Sequence, residues 1–169
     1  MSALYRKIEL LTNLAIIVVA VLIGTLFVRK YLVSGDVRAA PQVTAGTKVS
    51  LPDIDWGKNK QTLLLVLSKG CHFCSESASF YQRLVHEKQE HGDFQIIAVL
   101  PQSPSDSKEY LSKLSVSVDD IRQAPLKSIG IKGTPTLISV NNAGVVINSW
   151  TGKLSDDKES EVLAQLPAN

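Results

Sequence analysis

The residues with the clearest capacity for chemistry are the two cysteines of the chain, which stand as Cys71-His72-Phe73-Cys74. Two intervening residues let the sulfur atoms come within the distance of a disulfide bond. The motif follows a short apolar run and precedes a stretch with helical spacing, so we expect it where a strand passes into a helix. The amino end of a helix stabilises a thiolate through its dipole and free N–H groups. The motif therefore predicts a redox pair in which Cys71 is the nucleophile and Cys74 the resolving cysteine.

Three side chains beside the pair are candidates for tuning it or for binding substrate. As an imidazolium, His72 would stabilise the Cys71 thiolate; the alternative is an exposed residue with little effect. Glu76 is a candidate proton acceptor for Cys74, or else a solvated acid in the first turn of the helix. Phe73 is expected to offer an apolar rim to a protein substrate, or to pack on the helix.

The elements that must position these residues follow from hydrophobic periodicity. Two continuous apolar runs, at 62–68 and 94–100, predict strands buried on both faces of a sheet, with the chemistry at the carboxyl end of the first. The remaining expected elements are a helix at 74–90, a loop and short helix at 101–114 capped by Ser105 or Asp106, a short strand at 116–118, a helical turn at 124–129, a hairpin of strands 136–140 and 145–150, and a helix at 155–166 capped by Ser155. This order predicts an α/β domain with a mixed sheet covered on both faces.

A second motif, Gly133-Thr134-Pro135-Thr136, precedes the hairpin. With both motifs in these places, residues from about 49 to 166 resemble a thioredoxin-fold domain, which has a mixed central sheet with helices on both faces. The resemblance implies that Pro135 is cis and packs against the Cys71–Cys74 disulfide, and that Thr134 lines the substrate groove. A cis peptide bond before Pro135 is chemically accessible because X–Pro bonds adopt it at low cost.

Two features depart from the thioredoxin pattern. Lys69-Gly70 stands where many thioredoxins carry a Trp before the first cysteine, and Leu65 stands where thioredoxin has a buried acid. The second departure removes the usual proton acceptor for the resolving cysteine.

An uncharged apolar stretch near the amino end predicts a membrane anchor. Residues 10–28 contain no charged side chain, and nineteen helical residues span roughly the 30 Å hydrocarbon core of a bilayer. The alternative is a cleaved signal peptide, but its apolar region would be shorter, and the nearest small-residue site, Val37-Arg38-Ala39, contains an Arg. We therefore expect a cytoplasmic amino terminus at 1–9, a transmembrane anchor at 10–28, a tether at 29–48 and a thioredoxin-like domain at 49–169.

The charge distribution argues against nucleic acid as a partner, but it does not decide the orientation of the chain in the membrane. Residues 39–169 hold 13 Lys and Arg against 14 Asp and Glu, so they lack the basic stripe that binds nucleic acid. Lys and Arg flank the anchor on both sides, so the charge rule is nearly balanced. A disulfide-forming domain favours the oxidising side of the membrane, which predicts an extracytoplasmic, periplasmic location. The anchor, together with the additional segment at 101–122, is similar to membrane-tethered TlpA-like thiol-disulfide oxidoreductases of bacteria.

Three other readings of the cysteines stay open. Cys71, Cys74, His86 and His91 approach the spacing of a zinc finger, although a continuous helix would place His86 about 18 Å from Cys74 at 1.5 Å per residue. The two thiolates could instead bind a soft metal such as copper. A third possibility is a redox-inert interaction module with a structural disulfide.

The sequence as a whole predicts a single-pass, membrane-tethered oxidoreductase that exchanges disulfides with extracytoplasmic protein substrates. No cofactor or metal is expected, because the electrons reside on the two sulfurs. Turnover requires a redox partner, for which another membrane protein is expected.

Overall fold

A computed structural model describes Glu9 and residues 13–25 and 43–167. The chain divides into two compact units, 1–37 and 38–169. In the first unit, residues 13–25 are helical. Among the described residues, no helix has both the length and the apolar character needed to cross a membrane. The predicted anchor at 10–28 extends past the described residues at both ends, and most of the predicted terminus at 1–9 and tether at 29–48 lies outside them.

The second unit is built on one five-stranded sheet. Its strands are β1 (Gln61–Val66), β2 (Phe94–Leu100), β3 (Asp120–Gln123), β4 (Thr136–Asn141) and β5 (Val146–Thr151). Their order is β3-β2-β1-β4-β5, with β1, β2 and β3 parallel to one another and β4 and β5 antiparallel to their neighbours. The mixed sheet is therefore confirmed. All six residues of β1 are buried because the strand lies at the centre of the sheet, as its continuous apolar sequence predicts.

The helices are distributed unevenly over the two faces of the sheet. The α-helices are α1 (His72–Glu76), α2 (Ala78–His91), α3 (Pro104–Lys113) and α4 (Asp156–Ala164), and the 3₁₀ turns are Trp56–Lys58 and Leu126–Ile129. Buried residues of all four α-helices join one apolar cluster on one face. The other face is covered by the segment around Val49 and Leu51 and by the two 3₁₀ turns. Helices were expected on both faces of the sheet. Among the described residues, the α-helices lie on the first face, and the second face carries only the two 3₁₀ turns.

The helix predicted at 74–90 is interrupted and begins earlier than expected. It starts at His72 and breaks at Ser77, which separates α1 from α2. The Ser77 hydroxyl donates to the carbonyl oxygen of Phe73 at 2.9 Å, and such a bond back to the preceding turn competes with regular helix geometry. The break leaves Cys74 in the first segment.

The cap predicted for α3 was placed too late in the sequence. Ser103, and neither Ser105 nor Asp106, is the capping residue: its hydroxyl oxygen accepts the N–H of Asp106 at 3.2 Å. Pro104 occupies the first helical position, where its missing N–H leaves no bond unmade.

The third strand lies four residues later than predicted. The apolar alternation of Val116-Ser117-Val118 favoured a strand there, but the N–H of Val116 donates to the carbonyl oxygen of Leu111 at 3.0 Å. Val116 therefore closes the end of α3 and is buried there. The chain first bonds to β2 at Asp119, whose N–H donates to the carbonyl oxygen of Ile96 at 2.9 Å, and the short strand β3 begins at the next residue.

The predicted hairpin is confirmed and its turn depends on one glycine. Gly144 has φ +78°, a conformation that L side chains rarely adopt. A Cβ atom at Gly144 would lie 3.0 Å from Cδ1 and Nε1 of Trp56. The glycine therefore permits both the turn and the packing of the indole ring over it.

Candidate active site

The two cysteines lie where β1 passes into α1, as the sequence predicts. The backbone turns at Ser68–Cys71, where the N–H of Cys71 donates to the carbonyl oxygen of Ser68 at 3.1 Å. Gly70 has φ +88° in this turn. Cys71 occupies the N-cap of α1, and a disulfide joins it to Cys74 with the Cα atoms 5.2 Å apart.

The two sulfur atoms differ in access and in their partners. Cys74 is completely buried, whereas Cys71 is partly exposed. The Cys71 Sγ atom accepts the N–H of Cys74 at 3.2 Å. A sulfur that accepts a backbone N–H at the start of a helix is stabilised as a thiolate. The arrangement can therefore present Cys71 to an external sulfur and keep Cys74 for an internal attack.

The Gly133–Thr136 motif closes the other side of the pair. The Thr134–Pro135 peptide bond is cis, as the resemblance implies. The carbonyl oxygen of Thr134 lies 3.3 Å from the Cys71 Sγ atom. Thr136 fixes the turn, since its hydroxyl donates to the carbonyl oxygen of Gly133 at 2.8 Å. The structure thus brings two segments more than 60 residues apart into contact at the reactive sulfur.

Near the cysteine pair, the carboxylate of Glu76 contacts two other ionisable side chains, those of His72 and Lys153. Nε2 of His72 lies 3.0 Å from Oε1 of Glu76, and Nζ of Lys153 lies 3.1 Å from Oε2 of the same carboxylate. Lys153 holds the pKa of Glu76 below its ordinary value, mainly through its hydrogen bond, and His72 contributes in the same direction. A carboxylate with a lowered pKa is a weaker proton acceptor.

Phe73 forms an exposed apolar rim next to the reactive sulfur. Its side chain is 55% exposed although it is large and apolar. The ring contacts that of His72 at a centroid distance of 5.8 Å. The exposed ring is accessible from the surface of the domain.

The surroundings of Cys74 are apolar. Leu65, which stands where thioredoxin has an acid, is buried in the same cluster as Cys74. No Asp or Glu is among the buried residues that the structure describes. Proton release from Cys74 therefore depends on groups other than a buried carboxylate of this part of the chain.

Gln102 and Asp106 stabilise the active-site turn through contacts that the sequence analysis did not predict. Oε1 of Gln102 accepts the backbone N–H of Lys69 at 3.2 Å, and its Nε2 donates to the hydroxyl of Ser68 at 3.3 Å. Asp106, on α3, forms an ion pair with the ammonium group of Lys69 at 3.1 Å. The segment after β2 thus holds the turn that presents Cys71. Gln102 and Lys69 are 33 residues apart and meet only in the folded domain, so no local sequence pattern predicts their contact.

The geometry does not assemble the four candidate zinc ligands. Cys71 and Cys74 are joined to each other, and His86 lies on α2, a different helix from the one that holds Cys74. The backbone of His91 ends α2, and its side chain lies outside the described residues. Within the described ranges, no group of three or more His, Cys, Asp or Glu side chains is placed to hold a metal ion.

Comparison by sequence finds no relative: no profile of a known family and no curated protein matches the chain. Comparison by structure finds many. A Chlorobium tepidum protein assigned as thiol:disulfide interchange protein DsbE is 20% identical, with a TM-score of 0.57 over 73% of this chain and 96% of its own. A thiol:disulfide interchange protein from a Bacteroides species is 16% identical, with a TM-score of 0.55 over 75% and 90%.

A thiol-disulfide isomerase from Corynebacterium glutamicum is 15% identical, with a TM-score of 0.53 over 76% of this chain and 96% of its own. At such identities the likeness establishes the fold. The expectation of a thioredoxin-like domain is therefore confirmed.

Proposed function

We propose that this chain, whose second unit has the thioredoxin-like fold, is a thiol-disulfide oxidoreductase that uses Cys71 and Cys74 as its redox pair. The observation that carries the proposal is the asymmetry of the pair. Cys71 is accessible at the N-cap of α1 and lies 3.3 Å from the Thr134 carbonyl oxygen, whereas Cys74 is completely buried behind it. One sulfur is placed to meet a substrate, and the other can reach only its partner.

Reduction of a substrate then proceeds in two exchanges. The Cys71 thiolate attacks one sulfur of a substrate disulfide, which forms a mixed disulfide and releases the other substrate sulfur as a thiolate that takes up a proton. Cys74 loses its proton and attacks the Cys71 sulfur, which breaks the mixed disulfide and releases the second substrate thiol. Two electrons pass from the cysteine pair to the substrate, and the same steps in reverse oxidise a substrate dithiol.

The substrate is a protein that carries a thiol or a disulfide. Its backbone meets the Thr134–Pro135 segment, and its apolar side chains meet the exposed ring of Phe73. The neighbouring structures support this proposal in kind, since those of Chlorobium tepidum and Bacteroides are described as thiol:disulfide interchange proteins. Regeneration of the dithiol or disulfide requires an electron donor or acceptor, for which we propose a membrane redox protein.

The domain works at a membrane surface. Residues 10–28 anchor the chain by a single span, residues 1–9 lie in the cytoplasm, and residues 29–48 tether the domain on the extracytoplasmic, periplasmic side. Support comes from the nineteen uncharged residues of the segment and from its large apolar side chains at 14–23, which are 51–61% exposed. Fractionation tests this: the chain should resist alkaline extraction from membranes, and protease added to spheroplasts should remove the domain. Recovery in the cytosol would contradict it.

The decisive experiment for the activity is a redox titration. The full-length chain in mild detergent is equilibrated with glutathione buffers, and the reduced fraction is measured by thiol-specific mass labelling. A reduction potential between about −270 and −120 mV is expected, with the low end indicating a reductase and the high end an oxidant or isomerase. Failure of the pair to exchange would refute the proposal and favour the redox-inert module. Stoichiometric retention of copper by the reduced chain would favour the soft-metal alternative.

A further inference from the structure

Lys153 links the two loops that flank the reactive pair. It follows Gly152 at the end of β5, and the N–H of Gly152 donates to the carbonyl oxygen of Pro135 at 2.8 Å. The ammonium group of Lys153 lies 3.1 Å from Glu76, one turn beyond the reactive cysteine on α1. The two consecutive residues Gly152 and Lys153 therefore contact the Thr134–Pro135 loop and the helix of the cysteines, respectively.

Glu76 divides its carboxylate between two partners from different parts of the chain. One oxygen faces His72, the residue next to Cys71, at 3.0 Å, and the other faces Lys153. The carboxylate is the negative member of this group and Lys153 is its permanent cation. The electrostatic potential at Cys71 thus depends on the balance between the negative charge of Glu76 and the positive charge of Lys153.

We infer that Glu76 and Lys153 are an opposed pair of positioning residues that set the reduction potential of the Cys71–Cys74 disulfide. The inference rests on the proposed function and specifies what tunes it. Only the reduced form carries a thiolate at Cys71, so a nearby cation stabilises the reduced form and makes the disulfide more oxidising. A nearby anion has the opposite effect.

Two other lysines stand near the two motifs in the sequence, and each interacts with neighbouring groups. Lys69, two residues before Cys71, is paired with Asp106 on the opposite side of the turn. Lys132 precedes the Gly133–Thr136 motif and also interacts with neighbouring groups. Removal of one member of the Glu76–Lys153 pair therefore changes the formal charge beside the cysteines by one unit and leaves the Lys69–Asp106 pair in place.

The variants Glu76→Gln and Lys153→Met test the inference because they should act in opposite directions. The measured quantity is the equilibrium constant for oxidation of glutathione by the disulfide of the full-length chain. Glu76→Gln is expected to raise it about threefold and Lys153→Met to lower it about threefold, as for one unit charge within a Debye length at an exposed site. The double variant is expected to return close to the wild-type value, since it removes one charge of each sign.

A matched pair on α4 controls for charge removal in general. Glu161 and Lys158 form an exposed ion pair there, and Lys158 lowers the pKa of Glu161 much as Lys153 does that of Glu76. Glu161→Gln and Lys158→Met should leave the equilibrium constant unchanged. The absorbance of the Cys71 thiolate against pH is a second readout, and its midpoint should fall in Glu76→Gln and rise in Lys153→Met.

The outcomes separate this inference from the function it rests on. If the wild-type pair does not equilibrate with glutathione, the proposed function fails. If the wild type exchanges and both variants match it, or both shift in the same direction, the inference is overturned and the activity stands.

Discussion

The hydroxyl of Thr136 supports the loop that carries Thr134 and Pro135, and Thr136→Val removes it while keeping the shape of the side chain. Thr136 is 2% exposed; its Oγ1 donates to the carbonyl oxygen of Gly133 at 2.8 Å and contacts the hydroxyl of Thr151 at 3.2 Å. Loss of a part-buried neutral hydrogen bond that leaves its acceptor without this donor costs about 1–2 kcal/mol. We expect Thr136→Val to lower the free energy of unfolding by about this amount.

Thr62 on β1 is a matched control with the opposite expectation. It is 1% exposed, and among the described residues its Oγ1 atom has no hydrogen-bond partner. A buried hydroxyl without a partner costs about 1–3 kcal/mol, so Thr62→Val should raise the free energy of unfolding by about 1 kcal/mol. The same Thr→Val change in two strands of one sheet is thus expected to lower the free energy of unfolding at Thr136 and to raise it at Thr62.

Urea unfolding measures both effects. At an m-value of about 2 kcal/mol per molar urea, Thr136→Val should lower the midpoint by about 0.5–1 M and Thr62→Val should raise it by about 0.5 M, with m unchanged. Disulfide exchange should also slow in Thr136→Val, because the loop facing Cys71 loses its internal bond. Equal shifts of the same sign in the two variants would refute the reasoning from hydrogen bonds.

The remaining predictions concern the cysteines, one turn and one carboxylate. Cys74→Ser should accumulate a mixed disulfide with a substrate protein on non-reducing gels, and Cys71→Ser should form none, since only Cys71 is accessible; equal trapping by both would contradict the assigned roles. Gly144→Ala should destabilise the domain by about 1–3 kcal/mol more than Gly46→Ala in urea unfolding, because both have positive φ but only at Gly144 would the methyl group meet an indole ring. Asp106, whose pKa is lowered by its hydrogen bond from Ser103 and by Lys69, contributes stability that is complete above its ordinary pKa of 3.8 and is lost as the pH falls through the lower folded value. Asp106→Asn should therefore be less stable than the wild type near neutral pH and approach it in acid, and a difference independent of pH would exclude ionisation as the cause.

The parts of the fold that the sequence predicted are those encoded by neighbouring residues. β1 and β2 are continuous apolar runs because both lie inside the sheet, and the cysteine motif is a local signal, whereas the cis bond before Pro135 was expected from the family resemblance. β3 was misplaced because an edge strand has a weak apolar pattern, whereas the apolar Val116 serves to close a helix. Pairing with β2, rather than composition, decides which residues form that strand.

The site shows the same division. Cys71, His72, Phe73 and Glu76 are recognisable because they lie within six residues, and one helix turn brings His72 and Glu76 together. Lys153 is 77 residues from its partner and stands in a loop with no motif of its own. A lysine in such a loop carries no sign of what it faces, since that is decided by the hairpin between β4 and β5.

That hairpin supports both the Thr134–Pro135 loop and Lys153. β4 begins directly after Pro135, and β5 ends just before Gly152, whose N–H returns to the Pro135 carbonyl oxygen. The next residue is Lys153, which reaches the helix of the cysteines through Glu76. Because one backbone bond joins the start of the hairpin to its end, the loop that faces Cys71 and the side chain of Lys153 are positioned by the same two strands. The antiparallel half of the sheet therefore positions residues that contact both Cys71 and the helix that holds Cys74.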